Sequence, residues 1–356
     1  MLDNPSLLLA RSFGANGANA LADHQHILLV NQSEDQYVQQ LAKTFTDKQF
    51  TVFSYNFAAH QSLKNSPDNL KSVCAIELTA DDVPQDKFDC VVIYFPKSKP
   101  EFEYLISNLF NHLKLDAPIY LVGDNKGGVK TCAKLLKPYC NTALKVDAAK
   151  HCALYQAVLS EVSAPFVFAD WYKSYPVKIK DVELEVYSLP GVFSHGAIDM
   201  GTRLLLENIN HKPKAKVLDF GCGAGLIGAF LAKLNDDITV TGLDVHALAI
   251  ESTLKTYREN NINGTAIISN GLSQVQAPFN HVYSNPPFHS GVKTNYAITE
   301  LFLNTINDYI YPWGSLTIVA NRFLKYQPLL EKQFGRYTTQ ASNRRFNVYH
   351  ATKGSK

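Results

Sequence analysis

The apolar run FNHVYS, residues 279–284, is followed by Asn285, Pro286, Pro287 and Phe288, where a central strand ought to continue. A corner of this composition sets two acceptors side by side, the Asn285 side-chain oxygen and the carbonyl between Pro286 and Pro287. A planar NH2 group is the donor that fits them. The prolines fix φ and carry no N–H, so that carbonyl stays aimed outward. Phe288 offers a face on which a nucleobase can stack, a contact worth on the order of 1–3 kcal/mol. Taken alone, the four residues read equally as an edge-strand turn without chemistry.

A second constellation precedes it. Residues 216–234, KVLDFGCGAGLIGAFLAKL, read as a strand, a glycine turn and a helix. Gly221, Gly223 and Gly225 are spaced G-x-G-x-G, whereas the dinucleotide fingerprint places its third glycine one position later, where this chain has Leu226. Glycine suits such a turn because the backbone takes positive φ and a ligand can lie against it, while the helix start offers free N–H groups to an anionic end. Asp219 stands at the strand end ahead of the loop, and Cys222 lies within it. The next strand ends in Asp244, followed by Val245. From there a carboxylate can accept hydrogen bonds from both ribose hydroxyls of an adenosine-containing ligand. The other reading of Asp244 is an N-cap for HALAIESTLKTYREN. At Asn270-Gly271 a third strand ends, where an amide meets an adenine edge or an ordinary turn residue suffices.

These residues need a scaffold, and the apolar pattern supplies one. HILLV, FTVFSY, FDCVVIY and PIYLVG in the first part of the chain, then KVLDF, ITVTGLD, TAIIS, FNHVYS and SLTIVA in the second, alternate with helix-length amphipathic stretches. That is the mark of a mainly parallel sheet with helices on both faces. The halves echo one another: FDCVVIYFPK with FNHVYSNPPF, IYLVGDN with LTIVANR, and CALYQAV with FNVYHAT. A duplicated domain accounts for all three pairs at similar offsets. The first copy has Tyr94, Phe95 and Lys97 where the second has Asn285, Pro286 and Phe288, and HILLVNQSEDQY has no glycine turn. It is therefore expected to keep the scaffold without the chemistry. The prolines and aromatics between about 160 and 185, with a hairpin pattern, mark the boundary.

Composition narrows the function classes. At 356 residues, 46% hydrophobic and 19% charged, the chain reads as two globular α/β domains, and no apolar run reaches the roughly 18 residues of a membrane span. The opening MLDNPSLLLARS lacks a basic segment and a cleavage site, so a cytoplasmic protein is expected. The six cysteines form no C-x-x-C pair, which argues against a zinc site and a disulfide framework. A net charge of +2 excludes bulk attraction to nucleic acid. The most basic stretch carries Arg322, Lys325, Lys332, Arg336, Arg344 and Arg345, either a solvated surface or a phosphate-contacting face.

VLDFGCGAG, GLDV and SNPPF, in that order, resemble the class I S-adenosylmethionine-dependent methyltransferases that modify exocyclic amines. LPGVFSHGAIDMGTRLLLENI resembles the block that introduces the small methyltransferase domain. The degenerate duplicate in front is similar to the layout of bacterial guanine-N2 methyltransferases of 16S rRNA. The resemblance implies two tandem Rossmann-like methyltransferase domains, a degenerate copy over 1–168 that acts as a scaffold and grips RNA, and a catalytic copy over 169–356. It implies S-adenosylmethionine as cofactor, held by Asp219, Gly221, Cys222, Gly223, Gly225, Asp244, Val245, Asn270 and Gly271. Asn285, Pro286, Pro287 and Phe288 would be catalytic. Phe193 and Asp199 would floor the cofactor pocket, unless they are a packing aromatic and a helix cap. The implied partner is 16S rRNA or the small ribosomal subunit, with no metal, no membrane and a monomeric enzyme.

On this reading the delocalised lone pair of the target amine is turned toward the methyl sulfonium by the two acceptors, and no strong general base is required. His289 and His195 are then hydrogen-bonding walls rather than bases. The same tetrad serves adenine N6 or glutamine N5, and no residue selects guanine. A non-catalytic RNA-binding or ribosome-assembly protein that keeps the pocket is the alternative of another class.

Overall fold

A computed structural model describes residues 2–13, 20–161, 164–209, 215–286 and 292–355, the side chains of 292–297 excepted. The chain divides into two compact units, Met1–Trp171 and Tyr172–Lys356.

The first unit runs α1 (Asn4–Phe13), β1 (His26–Val30), α2 (Tyr37–Thr44), β2 (Gln49–Ser54), α3 (Phe57–Gln61), β3 (Leu70–Cys74), β4 (Cys90–Tyr94), α4 (Lys99–Leu109), β5 (Pro118–Asp124), α5 (Cys132–Leu136), β6 (Leu144–Ala149) and β7 (Cys152–Val158). Its sheet order is β3-β2-β1-β4-β5-β7-β6. The first five strands are parallel, and β7 runs antiparallel to both β5 and β6. Every residue of β4 is buried, as a strand covered on both faces demands, so it reads as an unbroken apolar run.

The second unit opens with a hairpin of β8 (Lys173–Ile179) and β9 (Val182–Ser188), then α6 (Met200–Glu207), β10 (Lys216–Phe220), α7 (Leu226–Leu234), β11 (Thr239–Asp244), α8 (Ala247–Glu259), β12 (Gly264–Ile268), β13 (Phe279–Ser284), α9 (Val292–Thr305), β14 (Ile310–Asn321), α10 (Gln327–Phe334), β15 (Tyr337–Ser342) and β16 (Phe346–Thr352). Its sheet order is β12-β11-β10-β13-β14-β16-β15, the order of the first unit repeated strand for strand. α7 is buried along nearly its whole length, since its apolar residues go all round rather than in one stripe. The hairpin is fastened to α8. The N–H groups of Glu185, Tyr187 and Leu189 donate to the side chains of Asn260, Thr256 and Ser252, which share one helix face.

The ladders make the duplication residue-specific. Val30 and Phe220 close the equivalent strands β1 and β10, and their partners in the next strand are Ile93 and Ser284. Tyr94 therefore occupies the position of Asn285, and Phe95 that of Pro286. Leu121 stands opposite Ile93 and Ile318 opposite Ser284, while Cys152 pairs with Asp124 and Phe346 with Asn321. All three echoed pairs of segments thus fall in equivalent register.

The six cysteines are free and five are buried. No helix among the described residues is long and apolar enough to cross a membrane, and no described group of three or more metal-binding side chains is placed to hold an ion.

Candidate active site

In an open parallel sheet, ligand sites form where the strands end at their carboxyl edge. β10, β11 and β13 bring the sequence motifs together there. Phe220 and Ser284 are paired, so Gly221 and Asn285 follow side by side on neighbouring strands, about 4.8 Å apart in such ladders. The Ser284 hydroxyl donates to the Phe220 carbonyl at 2.8 Å, which pins the two strand ends together.

The loop after β10 holds its shape through backbone bonds. Gly221 and Cys222 both donate to the Leu243 carbonyl (2.7 and 3.0 Å), and Gly225 donates to Cys222 O (2.7 Å). Gly221, Gly223 and Gly225 have φ of +72°, +55° and +76°, the left-handed region that glycine alone enters without strain. A Cβ on Gly221 would meet nothing within 4 Å, so bare backbone faces open space. A Cβ on Gly223 would reach the Cβ and the carbonyl oxygen of Phe193 at 3.9 Å, so Phe193, 40% exposed, lies beside the loop. Gly228, in the first turn of α7, is required for close packing, since a Cβ there would lie 2.0 Å from the Tyr257 hydroxyl and 2.8 Å from Val240.

Asp244 stands at the end of β11, partly exposed. Its Oδ2 accepts from Gly223 N–H and its Oδ1 from His246 N–H, both at 3.0 Å. Burial raises its pKa, and the N–H groups of Gly223, His246 and Val245 pull it back. The N-cap reading is corrected here: the cap of α8 is His246, with no side-chain cap bond, and Asp244 closes the turn before it. Each carboxylate oxygen keeps a further lone pair for a ribose hydroxyl. Asn270 is exposed, and Gly271, with φ +56°, also faces open space.

Two expected contact residues lie beneath this surface. Asp219 is fully buried, with Oδ2 accepting from Gly228 N–H at 3.0 Å, so it holds the loop and α7 from below rather than touching a ligand. Burial pushes its carboxyl up to about 7 against the Gly228 bond, and the nearby Asp244 charge adds to the rise. Cys222 is buried too, its sulfur accepting from the Thr253 hydroxyl at 3.2 Å. Burial, reinforced by Asp244 and Asp219, raises its thiol well above the ordinary range, leaving it protonated and inert.

Asn285 is 8% exposed and Pro286 is buried beside it. The Asn285 amide donates from Nδ2 to Asp199 Oδ2 at 3.0 Å and to Thr202 Oγ1 at 2.8 Å. Among the described residues no donor occupies its Oδ1. Asp199 is the N-cap of α6, its Oδ2 accepting from Gly201 N–H (2.7 Å) and Thr202 N–H (3.0 Å). It therefore joins the tetrad to a helix end. Pro287, Phe288 and His289 lie outside the described residues. His195 is a tether: its Nδ1 lies 3.0 Å from Ser188 Oγ, and burial and the Lys173 ammonium push its pKa down.

Thr202, Gly228 and Tyr257 escaped the sequence reading. The D-x-x-T spacing at 199–202 signals a helix start, but nothing local indicates that the same pair reaches Asn285. A separate depression of about 440 Å³, lined by Lys216, Thr239 and Phe279 among others, lies at the opposite strand ends and belongs to another face.

A sheet ordered in this way, with a glycine loop after its first strand, an acidic residue after its second and an Asn-Pro corner after its fourth, defines a methyltransferase of the small-domain class. The family model "Methyltransferase small domain" matches residues 183–350, and "Methyltransferase small domain N-terminal" matches 18–175. The chain belongs to the ribosomal RNA small subunit methyltransferase C family. The relative of that name from Pseudoalteromonas translucida is 40% identical over 349 residues, covering 98% of this chain and 99% of the other. That from Aeromonas hydrophila is 39% identical over 330 residues, covering 93% and 94%. The fold matches that of T. thermophilus 16S rRNA N2 G1207 methyltransferase, solved in complex with AdoMet and guanosine, with a TM-score of 0.84 and 23% identity over 99% of this chain and 92% of that one.

Proposed function

We propose that this chain transfers a methyl group from S-adenosylmethionine to the exocyclic N2 amine of a guanine in 16S rRNA, on the small ribosomal subunit. The observation that carries the reading is Asn285, whose amide N–H groups are both engaged behind it while Oδ1 is left as an acceptor beside the open backbone of Gly221. When bound, the cofactor supplies an electrophilic methyl group on a sulfonium. Gly221 and Gly223 would leave it backbone to lie against, Asp244 would accept from its ribose hydroxyls, and Val245, Asn270, Gly271 and Phe193 would border the adenosine.

Asn285 Oδ1 and the Pro286 carbonyl accept the two amine hydrogens of the base. That turns the nitrogen lone pair out of conjugation and toward the methyl carbon. The methyl carbon would come from the cofactor, and the electron pair of the broken carbon–sulfur bond would stay on sulfur as a thioether; the amine proton, acidic only once nitrogen is bonded to carbon, would pass to water, so no base of raised pKa is required. By its type and place in the motif, Phe288 would be the aromatic that stacks on the base.

The first unit is a scaffold that helps to grip rRNA. Ser54 stands at the position of Asp244, and Tyr94 at that of Asn285, closed off by a 2.9 Å bond to Ser6. A surface on the second unit supports the RNA reading. The β14–α10 loop and the β15–β16 turn meet where Arg322 N–H donates to Arg345 O (2.9 Å) and its guanidinium to Asn343 O (3.4 Å). Arg322, Arg344 and Arg345 are exposed, and no ion pair among the described residues uses them. All lie at the carboxyl edge of the sheet, as phosphate contacts need.

Incubation with labelled cofactor and, separately, small subunits, naked 16S rRNA and duplex DNA tests the reading, with the product mapped by mass spectrometry. The expected label is on N2 of one guanine in 16S rRNA. Label on adenine, on DNA or on protein refutes it.

A further inference from the structure

We propose that Asp199 and Thr202 are positioning residues that dictate which way the Asn285 amide faces. The inference rests on the reading of Asn285 as the acceptor for the target amine, and it adds what makes that acceptor reliable. An asparagine side chain has a donor end and an acceptor end of nearly equal shape, so a site that needs the acceptor must forbid the flip. An ionised carboxylate only accepts. With Asp199 Oδ2 at 3.0 Å, the end of Asn285 turned toward it has to be the NH2 end. Thr202 Oγ1 at 2.8 Å takes the second N–H, which fixes the amide plane as well as its sense. Both hydrogens are then spent, and Oδ1 projects away from α6.

Asp199 is held just as firmly. The oxygen that receives Asn285 also receives the N–H groups of Gly201 and Thr202, so its place is set by the first turn of α6. That helix start is steadied by Phe346, whose ring would lie 3.3 Å from a Cβ on Gly201. The reacting corner on β13 is thereby referred to a rigid helix end rather than to its own loop, the condition for holding a near-attack geometry.

The duplicated unit supplies an internal comparison. Asp3 and Ser6 stand at the start of α1 as Asp199 and Thr202 stand at the start of α6, with Ser6 N–H donating to Asp3 Oδ1 at 3.0 Å. The Ser6 hydroxyl meets Tyr94 OH at 2.9 Å, and Tyr94 holds the position of Asn285. The cap and its hydroxyl thus occur in both copies. Only in the second do they grip a group with two distinguishable ends, and only there does the carboxylate join in.

The test uses the full chain, S-adenosylmethionine and small subunits. Thr202→Val keeps the shape and the backbone N–H but removes the acceptor. We expect the single-turnover methylation rate to fall roughly five- to fifty-fold, with calorimetric affinity for S-adenosylmethionine and the melting temperature close to those of the unsubstituted protein. Thr202→Ser restores the rate to within a few-fold. Thr202→Ala carries the same expectation as the valine variant and serves if that one misfolds. Asp199→Asn keeps a cap acceptor but can also present an NH2, and it slows transfer because the sense of Asn285 is no longer imposed. A Thr202→Val rate equal to that of the unsubstituted protein overturns the proposal. So does a loss of rate matched by loss of cofactor affinity, which makes Thr202 part of the pocket floor. Asn285→Ala, run alongside, separates the two levels: if it retains turnover, the reading of Asn285 itself fails, whatever Thr202 does.

Discussion

Gly221 and Gly228 lie on one strand–loop–helix segment, yet replacing each by alanine should damage the protein in opposite ways. At Gly221 the added methyl meets no atom within 4 Å, and the cost to folding is that of an L-residue at φ +72°. That strain is roughly 1–2 kcal/mol, or a melting temperature lower by about 2–8 °C for a unit of this size. The methyl does, however, fill the space against which a ligand would lie, so affinity for S-adenosylmethionine should fall by at least about ten-fold, or 1.4 kcal/mol. At Gly228 the methyl would stand 2.0 Å from the Tyr257 hydroxyl and 2.8 Å from Val240 Cγ1. The ring lies close over glycine backbone on two further sides, since a Cβ built on Gly225 or Gly264 would itself come within 3.0 or 2.6 Å of it, so it has little room to shift. Overpacking of a buried site costs about 1–3 kcal/mol and sometimes more, so Gly228→Ala should lower the melting temperature by about 2–12 °C or more while leaving the surface along the loop unfilled. Thermal melts paired with calorimetric titration of the cofactor read both quantities. A Gly221→Ala protein that binds S-adenosylmethionine as tightly as the parent would show that the ligand does not run along this loop.

Three further outcomes follow from the same geometry. Asn285→Ala should reduce turnover by a hundred-fold or more on the scale of a lost transition-state acceptor, while cofactor affinity stays nearly intact; a large drop in affinity would move Asn285 out of the catalytic role. Because Asp219 is raised to about 7 when folded, its protonated form is favoured by folding. The stability it contributes is full below the ordinary carboxylate pKa and is lost as pH climbs through about 7. Asp219→Asn cannot ionise and should flatten that limb of a melting-temperature-against-pH curve, and an unchanged slope would mean that Asp219 is ionised in the fold. Replacing Arg322, Arg344 and Arg345 together by alanine should weaken rRNA binding and lower the slope of log affinity against log salt by about 0.7–0.9 for each phosphate that is no longer neutralised. An unaltered slope would place the phosphate grip elsewhere.

The central strands were legible in the chain because they are buried on both faces and so read as contiguous apolar runs: HILLV and KVLDF coincide with β1 and β10. β3, β6 and β15 did not stand out. They lie at the outer part of each sheet and mix polar with apolar residues, as LKSVC, LKVDAA and YTTQAS do, so no periodic signal marks them. The glycine loop, Asp244 and the Asn-Pro corner were legible as types at the ends of strands. What they touch was not. Asp219 and Cys222 sit in the loop motif, yet both lie under the loop, because the alternation of β10 turns Asp219 toward α7 and the tight turn folds Cys222 against Thr253.

By itself the amino-acid sequence determined the duplicated α/β architecture and the kinds of group gathered at one sheet edge, since both depend on patterns only a few residues long. The tertiary structure alone decided how those groups are held. Asn285 takes its orientation from Asp199 and Thr202, which precede it in the chain by 86 and 83 residues. Hydrogen bonds across such separations leave no local periodicity, and the order of the strands is what brings their two ends together.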